Sequence, residues 1–129
     1  MTQEQPDQME TLRLCCRALD DKKAEDLKVL DVSEVSSITD YFIIASGTSE
    51  PHLRALTNEV SQVLKDHRVK VIGKDLSAAS GWNVVDAFDI IVHLFLPETR
   101  DYYRLDSLWK DAPEVAVETL LPAEPRQKV

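Results

Sequence analysis

The chain is poor in glycine, cysteine and positive charge, and each shortage removes a class of chemistry. With three glycines in 129 residues it has no G-x-G-x-x-G fingerprint. Its one glycine turn between a strand and a helix, Ser46-Gly47-Thr48-Ser49, lacks the lysine that follows in a P-loop. Backbone N–H groups there could hold an anion, but Ser and Thr prefer helix caps so strongly that plain capping outweighs it. Cys15 and Cys16, the only cysteines, are adjacent. A disulfide between them would close a strained ring, and neither has companions at metal spacing, so they read as reduced thiols. No apolar run reaches the length of a membrane span. The longest, Ile90 to Leu96, contains His93, and the amino terminus MTQEQPDQME resembles neither a secretory signal nor a transit peptide. The expectation is a soluble cytoplasmic protein.

Acidic residues outnumber basic ones 23 to 15, for a net charge of −8. This opposes general attraction to phosphate backbones, so direct nucleic-acid binding is not expected and a basic protein is the favoured partner. Catalytic constellations are missing too. Two-metal nucleotidyl transfer needs closely spaced carboxylates, and no Asp-x-Asp follows the glycine turn. Asp86 and Asp89 bracket a turn, where aspartates commonly satisfy backbone donors. Asp89 and His93 stand about 13 Å apart along one strand, and His52 and His67 about 22 Å apart along a helix, so neither pair shares a metal. No cofactor is expected.

The length, with 43% hydrophobic and 29% charged residues, fits one globular domain. Asp7 and Glu10 form a capping box ahead of Met9, Leu12, Cys16 and Leu19 at helical spacing, which predicts a helix from Asp7 to about Ala24. Leu27 to Val32 reads as a strand with Leu27 and Val29 on one face and Leu30 and Val32 on the other. Tyr41 to Ala45, with no polar interruption, suits a central strand covered on both sides. A helix follows, capped by Thr48 or Ser49, with Leu53, Leu56, Val60, Val63 and Leu64 as its buried stripe through about Asp66. Val69 to Ile72 is expected as a short strand, Gly73 to Gly81 as a loop, and Pro97 to Lys110 as short helical pieces. From Ala112 on, three prolines and a polar ending predict a loose tail over residues 113–129. The fold class is α/β (α+β): a single mixed sheet of about five strands flanked by helices.

Aromatics make up only 6% of the chain, yet both tryptophans, two of three tyrosines and two of three phenylalanines fall between Gly81 and Lys110. Trp82 to Val85 and Ile90 to Leu96 flank Asp86-Ala87-Phe88-Asp89 as a hairpin, with Val85 expected opposite Ile90 and Trp82 opposite His93. Strand alternation gives one apolar face, Asn83, Val85, Ile90, Val92, Leu94 and Leu96. The other face carries Trp82, Val84, Asp86, Asp89, Ile91, His93 and Phe95, a mixture that fits partial cover and a partner. Phe95 and Trp109 lean towards plain core, and Trp82 is balanced between core and contact.

Two stretches resemble the ribosomal silencing factor, or iojap, family: DDKKAEDLKVLDVSEVSSITDYFIIASGTS from Asp20 to Ser49, and WNVVDAFDIIVHLFLPETRDYYRLDSLWKDA from Trp82 to Ala112. The specific pieces are the aspartate-lysine-alanine run before the first strand and the DYF strand ending in SG-x-S. To these are added the W-x-x-x-D and D-x-x-x-H hairpin and the R-x-Y-Y-x-L-x-x-LW ending. The resemblance assigns residues 1–112 to a ribosomal silencing factor domain and implies a fold similar to nucleotidyltransferases without their catalytic carboxylates. It also implies a non-enzymatic factor that binds the large ribosomal subunit through its fourteenth protein, blocks subunit joining and represses translation when nutrients are short. The contact set expected on that basis is Trp82, Asp86, Asp89, His93, Tyr102 and Tyr103. The chain departs from the family pattern at Lys74-Asp75-Leu76, where a Glu-Gly pair is common, and at Asp106, where glutamate is usual. It departs again at Phe88, where glycine is common, which predicts a four-residue turn that spares Phe88 a positive φ. The rivals are a degenerate nucleotidyltransferase that keeps nucleotide binding at Ser46 to Ser49, and a self-associating scaffold whose aromatic face makes a homodimer.

Overall fold

The computed structural model describes residues 7–75 and 81–121. Helix α1 (Gln8–Asp21) starts where the carboxylate of Asp7 accepts the N–H of Glu10 at 2.8 Å. Strands β1 (Glu25–Asp31) and β2 (Tyr41–Ser46) pair antiparallel, and α2 (Glu50–Asp66) follows with Ser49 as its N-cap. Then come β3 (Gly73–Asp75), β4 (Trp82–Asp86), β5 (Ile90–Phe95), the short helices α3 (Pro97–Tyr103) and α4 (Leu105–Leu108), and β6 (Glu114–Val115). The six strands form one sheet in the order β3-β4-β5-β2-β1-β6. Every ladder is antiparallel except the central one, β2 with β5, which runs from Tyr41 opposite Ile90 to Ser46 opposite Phe95.

The two faces are covered unequally. Leu12, Cys15, Cys16 and Leu19 of α1 and Leu53, Leu56, Val60 and Leu64 of α2 pack on Val29, Ile43, Ala45, Val85, Val92 and Leu94 of the sheet. The α2 stripe follows the expected pattern but leans to Thr57 and Ser61, leaving Val63 half-buried. On the opposite face Leu30, Val32, Phe42, Ile44, Ile91 and Phe95 meet, among the described residues of the carboxyl-terminal pieces, Leu105, Trp109 and Ala112. Both cysteines are fully buried, and burial pushes both thiols well up, that of Cys16 to about 12. They are inert in this setting.

Helix ends are stopped without glycine. Lys23 (φ 65°), Arg68 (φ 66°) and Arg104 (φ 54°) take the left-handed conformation just past α1, α2 and α3. After α1 and α2 the chain folds back, with Ala24 N–H on the Leu19 carbonyl at 2.9 Å and Val69 N–H on the Leu64 carbonyl at 2.8 Å.

Three expectations are corrected. The strand expected at Val69 to Ile72 lies slightly later, at Gly73–Asp75, because the turn at Arg68 holds Val69 against α2 and the ladder opens only where Ile72 N–H reaches the Asp86 carbonyl. The stretch after Ala112 is not loose as far as Leu121. Glu114–Val115 adds to the edge of β1, Asp31 N–H donates to the Pro113 carbonyl at 2.8 Å, and Leu120 is buried in the helix-side core. Residues 122–129 of the expected tail, and 76–80 of the expected loop, lie outside the described residues.

The hairpin register is the third correction. Val85 pairs with Val92 and Trp82 with Phe95, two residues from the expected pairing. The turn is tight, with Ala87 N–H on the Ile90 carbonyl at 2.9 Å, and Phe88 takes φ 74° after all. Asp86 supports that strained position by accepting the Phe88 N–H on its carboxylate at 2.9 Å. A shift of two preserves side-chain parity, so both faces of the hairpin carry the residues expected of them.

Candidate functional site

The thinly covered face is the candidate site, and it is built around a histidine. β4 and β5 carry Trp82, His93 and Phe95 on this side, and β2 brings Phe42. Trp82 and His93 are diagonal neighbours across the ladder, within reach of large side chains. Trp82 Nε1–H donates to His93 Nδ1 at 3.2 Å, which leaves the hydrogen of the neutral ring on Nε2. Phe42 stands edge-on to His93 at 4.8 Å between centroids, and Trp109 stands edge-on to Phe42 at 5.2 Å. His93 is 8% exposed, and burial lowers its pKa from 6.5 to about 4, so it is neutral near pH 7. Its Nε2 has no hydrogen-bond partner among the described residues.

Over this floor lies an aromatic rim. Trp82 packs against Phe95 at 4.8 Å and Tyr103 at 4.9 Å, and Tyr103 meets Tyr102 edge-on at 5.0 Å. Tyr102 is 79% exposed and Leu108, from α4, is 73% exposed. α3 and α4 are pinned by a clamp. Arg100 makes a two-pronged contact to Asp106 at 3.2 and 2.9 Å and donates to Ser46 Oγ at 2.9 Å, while Lys28 Nζ sits 3.3 Å from Asp106. Burial acts to raise the Asp106 carboxyl, but the bonds and charges of Arg100 and Lys28 outweigh it and hold its pKa below the ordinary value.

The structure therefore divides the six expected contact residues. Trp82, His93, Tyr102 and Tyr103 form one cluster, with His93 beneath the surface rather than on it. Asp86 and Asp89 sit at the hairpin tip, Asp86 four residues along β4 from Trp82, about 13 Å at strand rise. Both are half-buried, Asp86 as the support of the turn. Phe42 and the Arg100–Asp106 clamp are members that sequence reasoning missed. Phe42 lies far away in the chain, and no periodicity links Arg100 to Asp106.

Two backbone donors of the Ser46–Ser49 turn are taken by neighbouring elements of the fold. Gly47 N–H goes to the Phe95 carbonyl at 2.8 Å, Thr48 N–H to His52 Nδ1 at 2.9 Å, and Ser49 Oγ accepts the His52 N–H at 3.2 Å. A Cβ on Gly47 would lie 3.2 Å from the backbone of Leu53, so glycine here serves the close approach of strand and helix. Nucleotide binding at this turn gains no support from this geometry.

A single sheet with two helices on one side and an aromatic, incompletely covered face on the other defines an α/β fold with one open sheet face. Comparison with known proteins gives the family. A sequence model described as "Ribosomal silencing factor during starvation" matches residues 4–129. The chain is 35% identical over 106 residues to the ribosomal silencing factor of Bacillus subtilis, covering 82% of this chain and 90% of that one. It is 38% identical over 111 residues to "Mitochondrial assembly of ribosomal large subunit protein 1" of Mus musculus, covering 77% of this chain and 47% of that protein. A crystal structure of a Chromobacterium violaceum protein, 37% identical, superposes with a TM-score of 0.78 over 81% of this chain and 88% of the other. The chain belongs to the ribosomal silencing factor family, a regulatory and non-enzymatic family. It is a ribosome-associated regulator of translation.

Proposed function

We propose that the chain binds the large ribosomal subunit through its fourteenth protein and blocks the small subunit from joining by occupying its place. The observation that carries the contact assignment is the aromatic rim: Tyr102, Tyr103 and Leu108 are exposed beside Trp82, on a face that no long helix among the described residues covers. Exposed aromatics on a rigid floor are the usual anchors of an interface. In this reading Tyr102 and Tyr103 supply contact area and Trp82 backs them. His93 holds Trp82 in place from below, and Asp86 and Asp89 offer carboxylates to basic side chains of the ribosomal protein at the hairpin tip. The acidic balance of the chain, −8 overall, suits a basic partner.

Two measurements test this. Titrating the protein into a subunit-joining assay followed by light scattering should give inhibition that saturates near one copy per large subunit; saturation far below that ratio counts against occlusion. Tyr102→Ala with Tyr103→Ala should weaken binding to the isolated ribosomal protein by about 2 kcal/mol or more, with little dependence on salt. If sedimentation shows that the same change only splits a homodimer while ribosome binding persists, the face is a self-association surface.

A further inference from the structure

We propose that the segment from Lys65 to Lys74 is a second contact surface, which lays cationic side chains on the phosphate backbone of ribosomal RNA once the chain is docked. This rests on the reading above that the ribosome is the target, and it revises the expectation of no nucleic-acid contact. The net charge of −8 hides an asymmetry. These ten residues hold Lys65, Arg68, Lys70 and Lys74 against one carboxylate, Asp66, whereas the rest of the chain is acidic by two to one. Asp66 accepts the Gln62 amide at 2.8 Å.

The cations are presented by two elements. Lys65 lies in the last turn of α2, where it complements the helix dipole, and that structural role accounts for Lys65. It does not account for the others. Past the left-handed turn at Arg68 the chain runs extended into β3. There Val69 and Val71 pack against the helix-side core, while Lys70, Ile72 and Lys74 are exposed. Alternation thus turns Lys70 and Lys74 outward together, about 13 Å apart. Elsewhere three basic residues are held in ion pairs, Arg13 with Glu10, and Lys28 and Arg100 with Asp106. Among the described residues Lys65, Lys70 and Lys74 form no ion pair. The nearby carboxylate of Asp86, opposite Gly73, takes the Phe88 N–H.

The chemistry favours phosphate over bases. The segment has no Phe, Tyr or Trp on which a base could stack, the ring of its one histidine, His67, is tied to the Val63 carbonyl at 2.9 Å, and lysine is a compact point charge with three rotatable donors. The acidic remainder of the molecule repels free RNA, so these contacts form only when the aromatic face has already fixed the chain on the subunit, which raises the local concentration of phosphate. The strip lies at the Asp86 end of β4 and the aromatic rim at the Trp82 end, so the two surfaces touch separate parts of the subunit.

The test uses the full chain and purified large subunits between about 50 and about 300 mM salt. The Lys65→Gln, Lys70→Gln, Lys74→Gln triple variant should bind roughly 10- to 100-fold more weakly at the low end, and its plot of log affinity against log salt should be shallower by about two to three. The Tyr102→Ala, Tyr103→Ala variant should lose affinity with the slope kept. An unchanged slope in the lysine variant overturns the strip. A second readout identifies the partner: Lys70→Cys carrying an iron chelate should cut ribosomal RNA at one clustered site under hydroxyl-radical conditions. Cys15 and Cys16 are buried and escape labelling. Cuts confined to a ribosomal protein mean an acidic protein lies there instead and overturn the RNA assignment. Failure of the unmodified chain to bind large subunits would remove the proposed function, and this surface with it.

Discussion

The two faces of the sheet are closed by different means. On the helix side, aliphatic side chains from two long helices meet an aliphatic sheet surface, with Thr11, Thr57, Ser61 and Asn83 as the polar residues buried among them. On the other side aromatic rings, one neutral histidine and an arginine–aspartate clamp take the place of a helix layer. The first arrangement gains its stability from apolar area. The second adds contacts that depend on pH and salt and leaves large rings exposed. Under the proposed function the uncovered part of this face is the recognition surface, and directional contacts secure the part that is covered.

Changes that break this contrast should rank accordingly. The largest effect is expected on the helix side: Leu56→Ala, at a fully buried position, should cost about 3 kcal/mol in urea unfolding. A loss below about 1 kcal/mol would mean the helix layer is not the dominant core. Next comes the titration of His93. Its pKa is lower in the folded state than the ordinary 6.5, so its contribution is fully present above about pH 6.5 and is lost as pH falls towards 4. The gap corresponds to roughly 3 kcal/mol. His93→Leu should therefore lose less stability than the unmodified chain between pH 7 and pH 4.5; equal losses would show that the histidine is not neutral and buried.

The clamp should matter less. Asp106→Asn leaves Arg100 without its carboxylate and should destabilise the protein by about 1 to 2 kcal/mol near neutral pH. Because the Asp106 pKa is lowered in the folded state, the difference from the unmodified chain should shrink under acid conditions as that carboxylate protonates. A difference independent of pH would assign the clamp a packing role only. The smallest effect, of opposite sign, is expected at a helix end: Lys23→Gly relieves a left-handed lysine and should raise stability by up to about 1 kcal/mol. Destabilisation instead would show that the lysine side chain contributes more than its backbone strain costs.

Much of this was legible in the residues. Alternation in β4 and β5 assigned both faces correctly, because parity survives a register shift of two. The register itself was misjudged, since Phe88 in a positive-φ position breaks a steric preference that only the surrounding turn, with the Asp86 carboxylate on its N–H, can override. The contact of Trp82 with His93 is present even so, through the diagonal of the ladder rather than the direct pair. β6 could not be foreseen: two residues carry no period, and they are held by β1, more than eighty positions earlier. For the site, the cluster of aromatics pointed to the face that the structure leaves thinly covered, while Phe42 and the clamp depend on strands that meet only in the folded chain.

The lone parallel ladder has a consequence for how the chain folds. β1 with β2 and β4 with β5 are pairs that form between near neighbours in sequence, so each can close early. β2 meets β5 only after the whole stretch through α2, β3 and β4 has been gathered in, and the entropy of closing that loop makes the seam slow. A chain in which this seam is open and the two hairpins are formed would show two half-sheets, each with an unpaired edge on an apolar strand, Tyr41–Ser46 on one and Ile90–Phe95 on the other. The same ladder that carries His93 and Phe42 into one face is therefore the step at which a nascent chain is most exposed to aggregation.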